Sequence, residues 1–373
     1  MGSGVAVLGA GGFVGARLLE MAVRTGRDDI VPIVRALRSV GRAAHLGTTY
    51  RLGDVSRRDS LERALAGCAA VVNLTKGDPS EIVPATKTIY DAAVAAGARL
   101  LVHLSSATVY GDVERPDIPD DAPPLLGHWM RYAREKGLAE NFLRERMADR
   151  RLEIVVLRPG LIWGPRSPWV LAPAGELLRG TSYVVGDGTG ICNLMYVDNL
   201  VRSIDAVVAH PAVSSGFYHV GDDETTTWRE FYLALALGLG VDPATIHTVS
   251  AATYRATLRD RLASVQGLAA YKWLRDRLNL ETRATIKLRL AEKFESDPLT
   301  MPSAAGSPVV TREMWHLQNT RYKLPIEKFR TTFGPQNATS FRSGIASSVA
   351  WLGFIGIDGH EDARTRARSQ MAS

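Results

Sequence analysis

A serine, a tyrosine and a lysine are the residues whose types and spacing could do acid–base chemistry in this chain. Tyr132 and Lys136 lie four positions apart in a helical stretch, so they share one face of the helix. A tyrosine hydroxyl is too weak an acid to ionise near neutral pH, but a neighbouring ammonium favours the phenolate. Tyr132 could then exchange a proton with a substrate oxygen that Ser106 holds by a hydrogen bond. The alternative is that Tyr132 and Lys136 belong to an ordinary amphipathic helix face.

A glycine-rich turn near the start of the chain could bind phosphate. Gly9, Gly12 and Gly15 follow a strand pattern and precede a helical one. We predict that Gly9 permits a tight turn, that Gly12 lets the backbone approach a pyrophosphate, and that Gly15 lets the helix pack on the strand. The N–H groups at the helix N-terminus would face the phosphates. This strand–turn–helix context indicates a dinucleotide site; the alternative is a glycine turn without a ligand.

The second strand ends in Arg35 and has no acidic residue there. Enzymes that use NAD often end this strand with an acid that bonds the ribose hydroxyls. An arginine can instead pair with a 2′-phosphate and stack on the adenine. We therefore predict NADP or NAD as the cofactor, with NADP slightly favoured; the alternative is a plain surface arginine.

These residues lie among short apolar runs that alternate with helical patterns. Continuous aliphatic runs between helices indicate a parallel sheet covered on both faces, and right-handed crossovers then give a doubly wound α/β fold. Strands are predicted at Val5–Leu8, Ile30–Val34, Tyr50–Leu52, Ala70–Leu74, Leu100–Leu104 and Ile154–Leu157. Helices are predicted at Ala16–Thr25, Ser60–Ala66, Pro84–Ala96 and Gly127–Met147.

The pattern changes after Pro165, where proline, glycine and basic helical stretches become more frequent. We predict a Rossmann domain formed by residues 1–165 and 191–222. Residues 166–190 and 223–373 would form a smaller, mostly helical substrate-binding lobe. In that lobe, Tyr254–Lys293 carries ten lysines and arginines against four acidic residues. Such stretches are mostly solvated helix faces, and the alternatives are a lid over an anionic ligand or a contact with a membrane surface.

Composition narrows the class of protein. The chain has 373 residues, of which 46% are hydrophobic and 23% charged, as in globular proteins with a large core. Its net charge of +6 suits anionic small molecules, whereas no nucleic-acid-binding motif is present. No apolar run reaches the roughly 18 residues of a membrane span, and no histidine spacing indicates a metal site. Cys68 and Cys192 predict reduced thiols and, without a secretory signal, a cytoplasmic location.

Three motifs together resemble those of the extended short-chain dehydrogenase/reductase family, also called the NAD-dependent epimerase/dehydratase family. The glycines have the spacing GxxGxxG, and Ser105–Gly111 (SSATVYG) is followed by a YxxxK motif at Tyr132. Leu157–Pro165 resembles the family's RPxxxYGP segment, with Trp163 in place of the tyrosine. The resemblance spans nearly the whole chain and is weakest over residues 250–325. It implies an NAD(P)-dependent oxidoreductase with a Rossmann sheet.

The resemblance also implies roles for individual residues. The catalytic residues would be Ser106, Tyr132 and Lys136, and Lys136 would also reach the nicotinamide ribose. The cofactor would be bound by Gly9, Gly12, Phe13, Val14, Gly15, Arg35, Asp54, Val55, Leu74, Thr75, Lys136 and Pro159. The substrate would be bound by Thr108, Arg166 and Asn193. A second copy of the chain would be the partner, in a homodimer formed by helices that include the one carrying Tyr132.

Three functions remain open at this point. The leading hypothesis is an oxidoreductase that modifies a sugar nucleotide, as an epimerase or as a keto-sugar reductase. Two departures weaken this transfer, because Cys192 stands where such epimerases commonly carry an arginine and Glu81–Thr86 lacks their asparagine. The second hypothesis is a reductase or dehydrogenase of a lipophilic alcohol or ketone, like the hydroxysteroid or dihydroflavonol branch, which Tyr196–Asn199 fits. The third is a non-catalytic dinucleotide-binding protein, against which the intact serine, tyrosine and lysine argue.

Overall fold

The computed structural model describes residues 4–36, 41–111, 113, 115–252, 254 and 307–357. These residues fall into two compact units. The first unit takes the described parts of Met1–Val170 together with Cys192–Thr226 and Arg321–Trp351. The second takes Leu171–Ile191 and the described parts of Thr227–Thr320 and Leu352–Ser373. Nearly all of the basic segment 254–293 lies outside the described residues.

The first unit is built on a seven-stranded parallel sheet, which confirms the predicted doubly wound α/β fold. The strands of the chain are β1 (Gly4–Leu8), β2 (Ile30–Val34), β3 (Arg51–Leu52), β4 (Cys68–Asn73), β5 (Leu100–Leu104), β6 (Glu153–Pro159), β7 (Leu161–Trp163), β8 (Tyr183–Val185), β9 (Leu194–Tyr196), β10 (Gly216–Val220) and β11 (His247–Val249). The order in the large sheet is β10–β6–β5–β4–β1–β2–β3. The order in which strands are added to the sheet thus reverses between β1 and β4, and the carboxyl ends of these two parallel strands flank the crevice where such sheets bind ligands.

Helices follow most of the strands. They are α1 (Phe13–Arg24), α2 (Gly41–His45), α3 (Arg58–Leu65), α4 (Pro79–Ala95), α5 (Arg131–Met147), α6 (Pro168–Leu178), α7 (Val197–Ala209), α8 (Trp228–Leu239), α9 (Arg312–Gln318), α10 (Glu327–Phe333) and α11 (Phe341–Phe354). A 3₁₀ turn at Ala107–Tyr110 follows β5. The loops that join strand ends to α1, α4 and this turn therefore lie at one edge of the sheet.

Two apolar cores cover the two faces of the sheet. Val5 and Val7 of β1 point into one core, together with residues of α1 and α7, while Ala6 and Leu8 point into the other, together with residues of α3, α4 and α5. Successive residues of a strand face opposite sides, so a strand that is apolar at every position needs helices on both faces. This burial holds the strand ends in fixed relative positions.

All four predicted helices begin at different residues from those predicted, and two of them differ by four or five residues. The fourth helix was expected from Pro84, but α4 begins at Pro79 because the Asp78 side chain accepts a hydrogen bond from the Ser80 N–H and caps it. Pro84 therefore lies inside the helix. The helix of Tyr132 and Lys136 was expected from Gly127, but α5 begins at Arg131. Tyr132 consequently lies in the first turn of α5.

The assignment of the C-terminal region to the substrate lobe is wrong for Arg321–Trp351, which belongs to the unit that contains the sheet. The physical reason is aromatic packing. Phe329 and Phe333 of α10 are buried in the core formed with α1 and α7, where Phe333 lies 5.0 Å from the Tyr218 ring of β10. The sequence pattern of this segment does not reveal which core its aromatic residues enter.

The second unit contains a short parallel pair, β8 with β11, and the helices α8 and α9. Thr227 and Glu230 form a capping box at the start of α8, and Gly240 ends the helix in the left-handed region. Tyr232 of α8 donates a hydrogen bond to the half-buried Glu176 carboxylate at 3.0 Å. This unit is described only in part, because residues 255–306 lie outside the described residues.

Both cysteines are free and buried. Burial raises the pKa of the Cys68 thiol, and burial raises that of the Cys192 thiol well above its usual range. Cys192 occupies a site closed to solvent at the end of the segment that leads into β9. Among the residues that the structure describes, no helix is both long and apolar enough to cross a lipid bilayer.

Candidate active site

The glycine turn between β1 and α1 is packed so closely that side chains on its glycines would meet neighbouring backbone atoms. Gly9 has a φ of +79°, and its carbonyl accepts a hydrogen bond from the Gly12 N–H at 2.9 Å. A Cβ on Gly15 would lie 2.4 Å from the Gly9 carbonyl oxygen. No side chain caps the first turn of α1 at Gly12. The turn therefore fits a pyrophosphate, which the N–H groups of this turn could bind.

Leu74 and Thr75 follow β4 and lie against the same turn. The Leu74 N–H donates to the Leu8 carbonyl at 3.0 Å, and a Cβ on Gly9 would lie 3.0 Å from the Leu74 carbonyl oxygen. Thr75 donates from its N–H and its hydroxyl to the Asn73 amide oxygen, at 3.1 and 2.6 Å. The structure thus brings together the glycine turn and the end of β4, both of which were predicted to contact the cofactor. The helix residues Phe13 and Val14 follow directly, and Val14 is buried.

Arg35 and Asp54 lie at the outer end of the same edge, after β2 and β3. The Arg35 side chain is exposed. The Asp54 carboxylate accepts hydrogen bonds from the Ser56 N–H and hydroxyl at 2.9 and 2.8 Å. These bonds, with the charges of Arg35 and Arg57, lower the pKa of Asp54. Asp54 is therefore an ionised acceptor near Arg35, and Val55 next to it is half-buried.

Ser106 caps the 3₁₀ turn that follows β5. Its hydroxyl oxygen accepts hydrogen bonds from the Thr108 N–H at 3.3 Å and from the Thr108 hydroxyl at 2.9 Å. In both bonds Ser106 is the acceptor, so its own O–H remains a donor for a substrate oxygen. Thr108, predicted to bind substrate, here fixes the orientation of Ser106.

Lys136 is a buried cation on α5. Its ammonium donates a hydrogen bond to the Leu104 carbonyl at 2.7 Å, two residues before Ser106. Burial lowers the pKa of Lys136 to about 8; the Glu140 carboxylate opposes this and the Lys76 ammonium adds to it. Tyr132 lies one helical turn earlier, and the Lys76 ammonium lies 5.4 Å from the centre of its ring. The structure thus joins the helix of Tyr132 and Lys136 to the strand that leads to Ser106.

A buried polar network next to these residues was not predicted. Glu140 and Arg158 are both fully buried and form an ion pair at 2.5 Å. Ser105 donates its hydroxyl to the same carboxylate. Arg158 also donates to the Tyr110 hydroxyl, which contacts the His219 ring at 2.8 Å. The sequence offered one indication of Glu140, which follows Lys136 by four residues on the same helix face. Spacing alone does not distinguish a buried acid from an exposed one.

The network carries one full positive and one full negative charge. Burial raises the pKa of the Tyr110 hydroxyl far above its usual value. Burial lowers the pKa of His219 to about 4, so both groups are neutral near pH 7. The charges of Glu140 and Arg158 therefore compensate each other, as buried charges must.

Two predicted substrate-binding residues bond other protein groups. The Arg166 guanidinium, at a residue with a φ of +75°, pairs with Glu20 of α1 at 2.5 Å. The Asn193 amide donates to the Tyr322 carbonyl at 3.2 Å and accepts from the Leu324 N–H at 2.8 Å. A substrate would have to compete with these partners, and substrate binding by Arg166 and Asn193 stays a prediction.

Pro159 ends β6, and the chain packs tightly just beyond it. The Asn193 carbonyl accepts a hydrogen bond from the Leu161 N–H at 2.6 Å, and a Cβ on Gly160 would lie 2.0 Å from that oxygen. Trp163, where the resembling motif has tyrosine, is fully buried and donates to Asp222 at 2.9 Å. This indole therefore holds the chain after β6 in place.

Comparisons with known proteins agree with this geometry. The family model for the NAD dependent epimerase/dehydratase family matches residues 5–221. The chain is 29% identical over 237 residues to the N-acetyl-alpha-D-glucosaminyl-diphospho-ditrans,octacis-undecaprenol 4-epimerase of Escherichia coli O157:H7, covering 60% of this chain and 68% of that protein. It is 25% identical over 266 residues to the 2-alkyl-3-oxoalkanoate reductase of Shewanella oneidensis, covering 64% and 67%.

A similarity to solved structures extends over more of the chain. A dTDP-glucose 4,6-dehydratase from Streptomyces venezuelae, solved with NAD bound, superposes with a TM-score of 0.65. The alignment covers 94% of this chain and 97% of that one, at 19% sequence identity. At this identity the likeness shows a shared fold.

Proposed function

Because the chain belongs to the NAD-dependent epimerase/dehydratase family of enzymes, we propose that it transfers hydride between a nicotinamide dinucleotide and a sugar nucleotide. The observation that carries the proposal is the buried Lys136 ammonium, which donates a hydrogen bond to the Leu104 carbonyl. Lys136 lies one helical turn after Tyr132 on α5. A buried cation is costly and has to be compensated. Its position beside a tyrosine and near a serine suits proton transfer at a carbon-bound oxygen.

The residues would divide the chemistry as follows. A bound nicotinamide would supply the site that accepts or donates hydride. Tyr132 would remove the proton of a sugar hydroxyl, or return one to a carbonyl oxygen. Ser106 would donate a hydrogen bond to the same oxygen and hold it in place. Lys136, charged below about pH 8, would favour the phenolate form of Tyr132.

The residues around the glycine turn support binding of a dinucleotide. Gly9, Gly12 and Gly15 let the turn fold tightly against the start of α1, where N–H groups without a side-chain cap could bind a pyrophosphate. At the adenosine end we propose that Arg35 pairs with a 2′-phosphate, which makes NADP slightly favoured over NAD. The exposed position of Arg35 after β2 supports this, because the side chain can reach a ligand outside the sheet.

An assay with sugar nucleotides tests the proposal. The purified chain is incubated with UDP- and dTDP-linked hexoses and their keto derivatives, with NAD(H) or NADP(H), and both products and the absorbance of reduced nicotinamide are followed. An epimerase gives a new sugar without net change in absorbance, whereas a keto-sugar reductase consumes reduced cofactor in equal amount. Failure to convert any sugar nucleotide would contradict the proposal.

A second candidate is reduction of a lipophilic ketone. The 25% identity to a 2-alkyl-3-oxoalkanoate reductase favours it. So does the buried Cys192, which stands where sugar-nucleotide epimerases commonly carry an arginine. Oxidation of reduced cofactor by medium- or long-chain β-keto compounds, with no reaction of sugar nucleotides, would select this function.

We also propose that two copies associate through helices that include α5, the helix of Tyr132. Exposed apolar side chains at Leu125, Leu126 and Leu138 support this, since Leu138 lies on the outer surface of α5. Sedimentation analysis of the purified chain would give twice the monomer mass. We further propose a cytoplasmic location, which the two reduced thiols support.

A further inference from the structure

We propose that Ser105, Glu140 and Arg158 form a clamp that positions the catalytic side chains. The clamp rests on the proposed function, because it assigns these residues to the same reaction. None of the three would touch substrate or cofactor. They would act as positioning residues, by joining the three chain segments on which the catalytic and cofactor-binding groups are carried.

The contacts converge on one carboxylate. The Ser105 hydroxyl and the Arg158 Nε, the latter at 3.1 Å, both donate to Glu140 Oε1. Arg158 Nη2 and Nε donate to Glu140 Oε2 at 2.5 and 3.2 Å. The exposed fractions of Glu140 and Arg158 are both 0%, and that of Ser105 is 4%. Every acceptor oxygen of Glu140 is thus used inside the protein, and no bond in this set competes with water.

Each partner adjoins a predicted functional residue. Ser105 precedes Ser106, whose hydroxyl caps the 3₁₀ turn. Glu140 follows Lys136 by four positions on α5, and Arg158 precedes Pro159 at the end of β6. The Glu140 carboxylate therefore ties together the loop after β5, the helix of Tyr132 and Lys136, and the end of β6.

Arg158 extends the clamp to a further loop. Its Nη1 donates to the Tyr110 hydroxyl and to the carbonyls of Asp120 and Ala122, the last two at 2.6 and 3.0 Å. Tyr110 ends the 3₁₀ turn, so the turn is held at both ends, by Ser105 before it and by Tyr110 at its last residue. The Ser106 hydroxyl is thereby fixed relative to α5.

Stability alone is a poor explanation for such a pair. Removing two charges from water costs about as much free energy as their attraction returns, and apolar residues of similar volume often serve as well. Geometry is a better explanation, because a bidentate arginine–carboxylate pair fixes both distance and angle. Displacement of a catalytic group by about 1 Å can cost on the order of a hundredfold in rate.

Removal of one hydroxyl tests the clamp. In Ser105→Ala the ion pair and the contact of Arg158 with Tyr110 remain, and only the hydrogen bond from Ser105 to Glu140 is lost. The matched control is Ser203→Ala, because Ser203 is also buried and donates one hydrogen bond, to the Asn199 carbonyl on α7. Hydrogen exchange of the peptide spanning residues 106–111 and steady-state kinetics are measured on both variants and on the wild-type chain.

We expect Ser105→Ala to speed amide exchange in the 106–111 peptide about tenfold and to lower kcat ten- to a hundredfold, with KM within about twofold. Ser203→Ala should leave that peptide and kcat unchanged. Wild-type exchange in Ser105→Ala, or faster exchange with unchanged kcat, would overturn the positioning role. A wild-type chain that converts no sugar nucleotide would count against the proposed function alone. The exchange comparison, made on the free protein, would still decide whether Ser105 holds the Ser106 loop.

Discussion

The two halves of the ligand-binding edge are built in opposite ways. At the β1–β2–β3 end the groups that would bind a dinucleotide are bare backbone, at Gly9 and Gly15, and exposed side chains such as Arg35. At the β5–β6 end the functional groups are set among buried charges, with Lys136 and Glu140 closed off from solvent. The proposed nucleotide end therefore depends on shape, whereas the proposed catalytic end depends on the placement of a few charged atoms.

This difference indicates whether a substitution should change the affinity for cofactor or the reaction rate and the stability of the fold. At the nucleotide end, a change in an exposed side chain such as Arg35 alters the affinity for cofactor and leaves the fold largely intact, because exposed groups contribute little to stability. At the catalytic end, a change leaves a buried partner uncompensated and affects both rate and folding. Four substitutions test this contrast.

The largest expected effect is that of Tyr132→Phe. Loss of the proton-transferring hydroxyl should lower kcat by about 10²- to 10⁴-fold, while the Kd for the dinucleotide stays within about twofold. The matched control is Tyr90→Phe, because the buried Tyr90 hydroxyl has no hydrogen-bond partner among the described residues. Steady-state kinetics and cofactor fluorescence measure the two quantities. Equal kcat in the two variants would remove Tyr132 from the mechanism.

Gly15→Ala should raise the Kd for the dinucleotide, which Tyr132→Phe is expected to leave nearly unchanged. Its Cβ would lie 2.4 Å from the Gly9 carbonyl oxygen, so the turn has to shift. Overpacking of this kind costs about 1–3 kcal/mol, which would weaken dinucleotide binding by about tenfold or more. Gly127→Ala is the control, since an added Cβ there meets nothing within 4 Å. Isothermal titration with NADH and NADPH measures the change, and wild-type affinity in Gly15→Ala would show that the turn does not contact the cofactor.

The protonation of Lys136 should make both kcat and the free energy of unfolding depend on pH. Its pKa is about 8 in the folded protein, against 10.5 for an unperturbed lysine. Above pH 8 the ammonium is lost, so kcat should fall by about tenfold per pH unit. Between pH 8 and 10.5 the unfolded chain binds more protons at this site than the folded chain. The contribution of Lys136 to the free energy of unfolding therefore rises with pH.

The matched variant for this prediction is Lys136→Met, whose kcat should be lowered less than that of Tyr132→Phe and should not fall further above pH 8. It should also lack this rise in stability. Urea denaturation at several pH values between 8 and 10.5, for both proteins, isolates the contribution of the lysine. Parallel pH dependence of stability in the two proteins would show that Lys136 is not buried as a cation.

The smallest effect is expected for Arg35→Asp. The exposed guanidinium would lose its contact with a 2′-phosphate, so the ratio of NADPH to NADH affinity should fall about tenfold. The melting temperature should change little. Arg57→Asp is the control, because Arg57 is also exposed and close to Asp54 but lies beyond the end of β3. An unchanged ratio would leave Arg35 as a surface residue.

The sequence predicted the parts of the molecule that depend on local pattern. Aliphatic runs located β1, β2, β4 and β5 within two residues, and the glycine spacing located the turn before α1. The YxxxK spacing placed Tyr132 and Lys136 on one helix face. These features depend on periodicities of two and of about 3.6 residues, which a single chain segment carries.

Long-range pairing was beyond prediction. Arg158 and Glu140 are 18 positions apart and Ser105 and Glu140 are 35 apart, so their meeting depends on how β5, β6 and α5 pack. For the same reason the pairing of Arg166 with Glu20 could not be predicted from the sequence. Charge type and local spacing do not reveal which oppositely charged side chain will lie opposite in the fold.

The interior position of both cysteines has a practical consequence for spectroscopy. The chain has two thiols in all, and burial keeps both protonated and shielded from reagents. A single cysteine introduced at a surface position, such as the 87% exposed Phe354, would then be the only site to react with a maleimide fluorophore or a spin label. Labelled protein could therefore be prepared without first replacing a native residue.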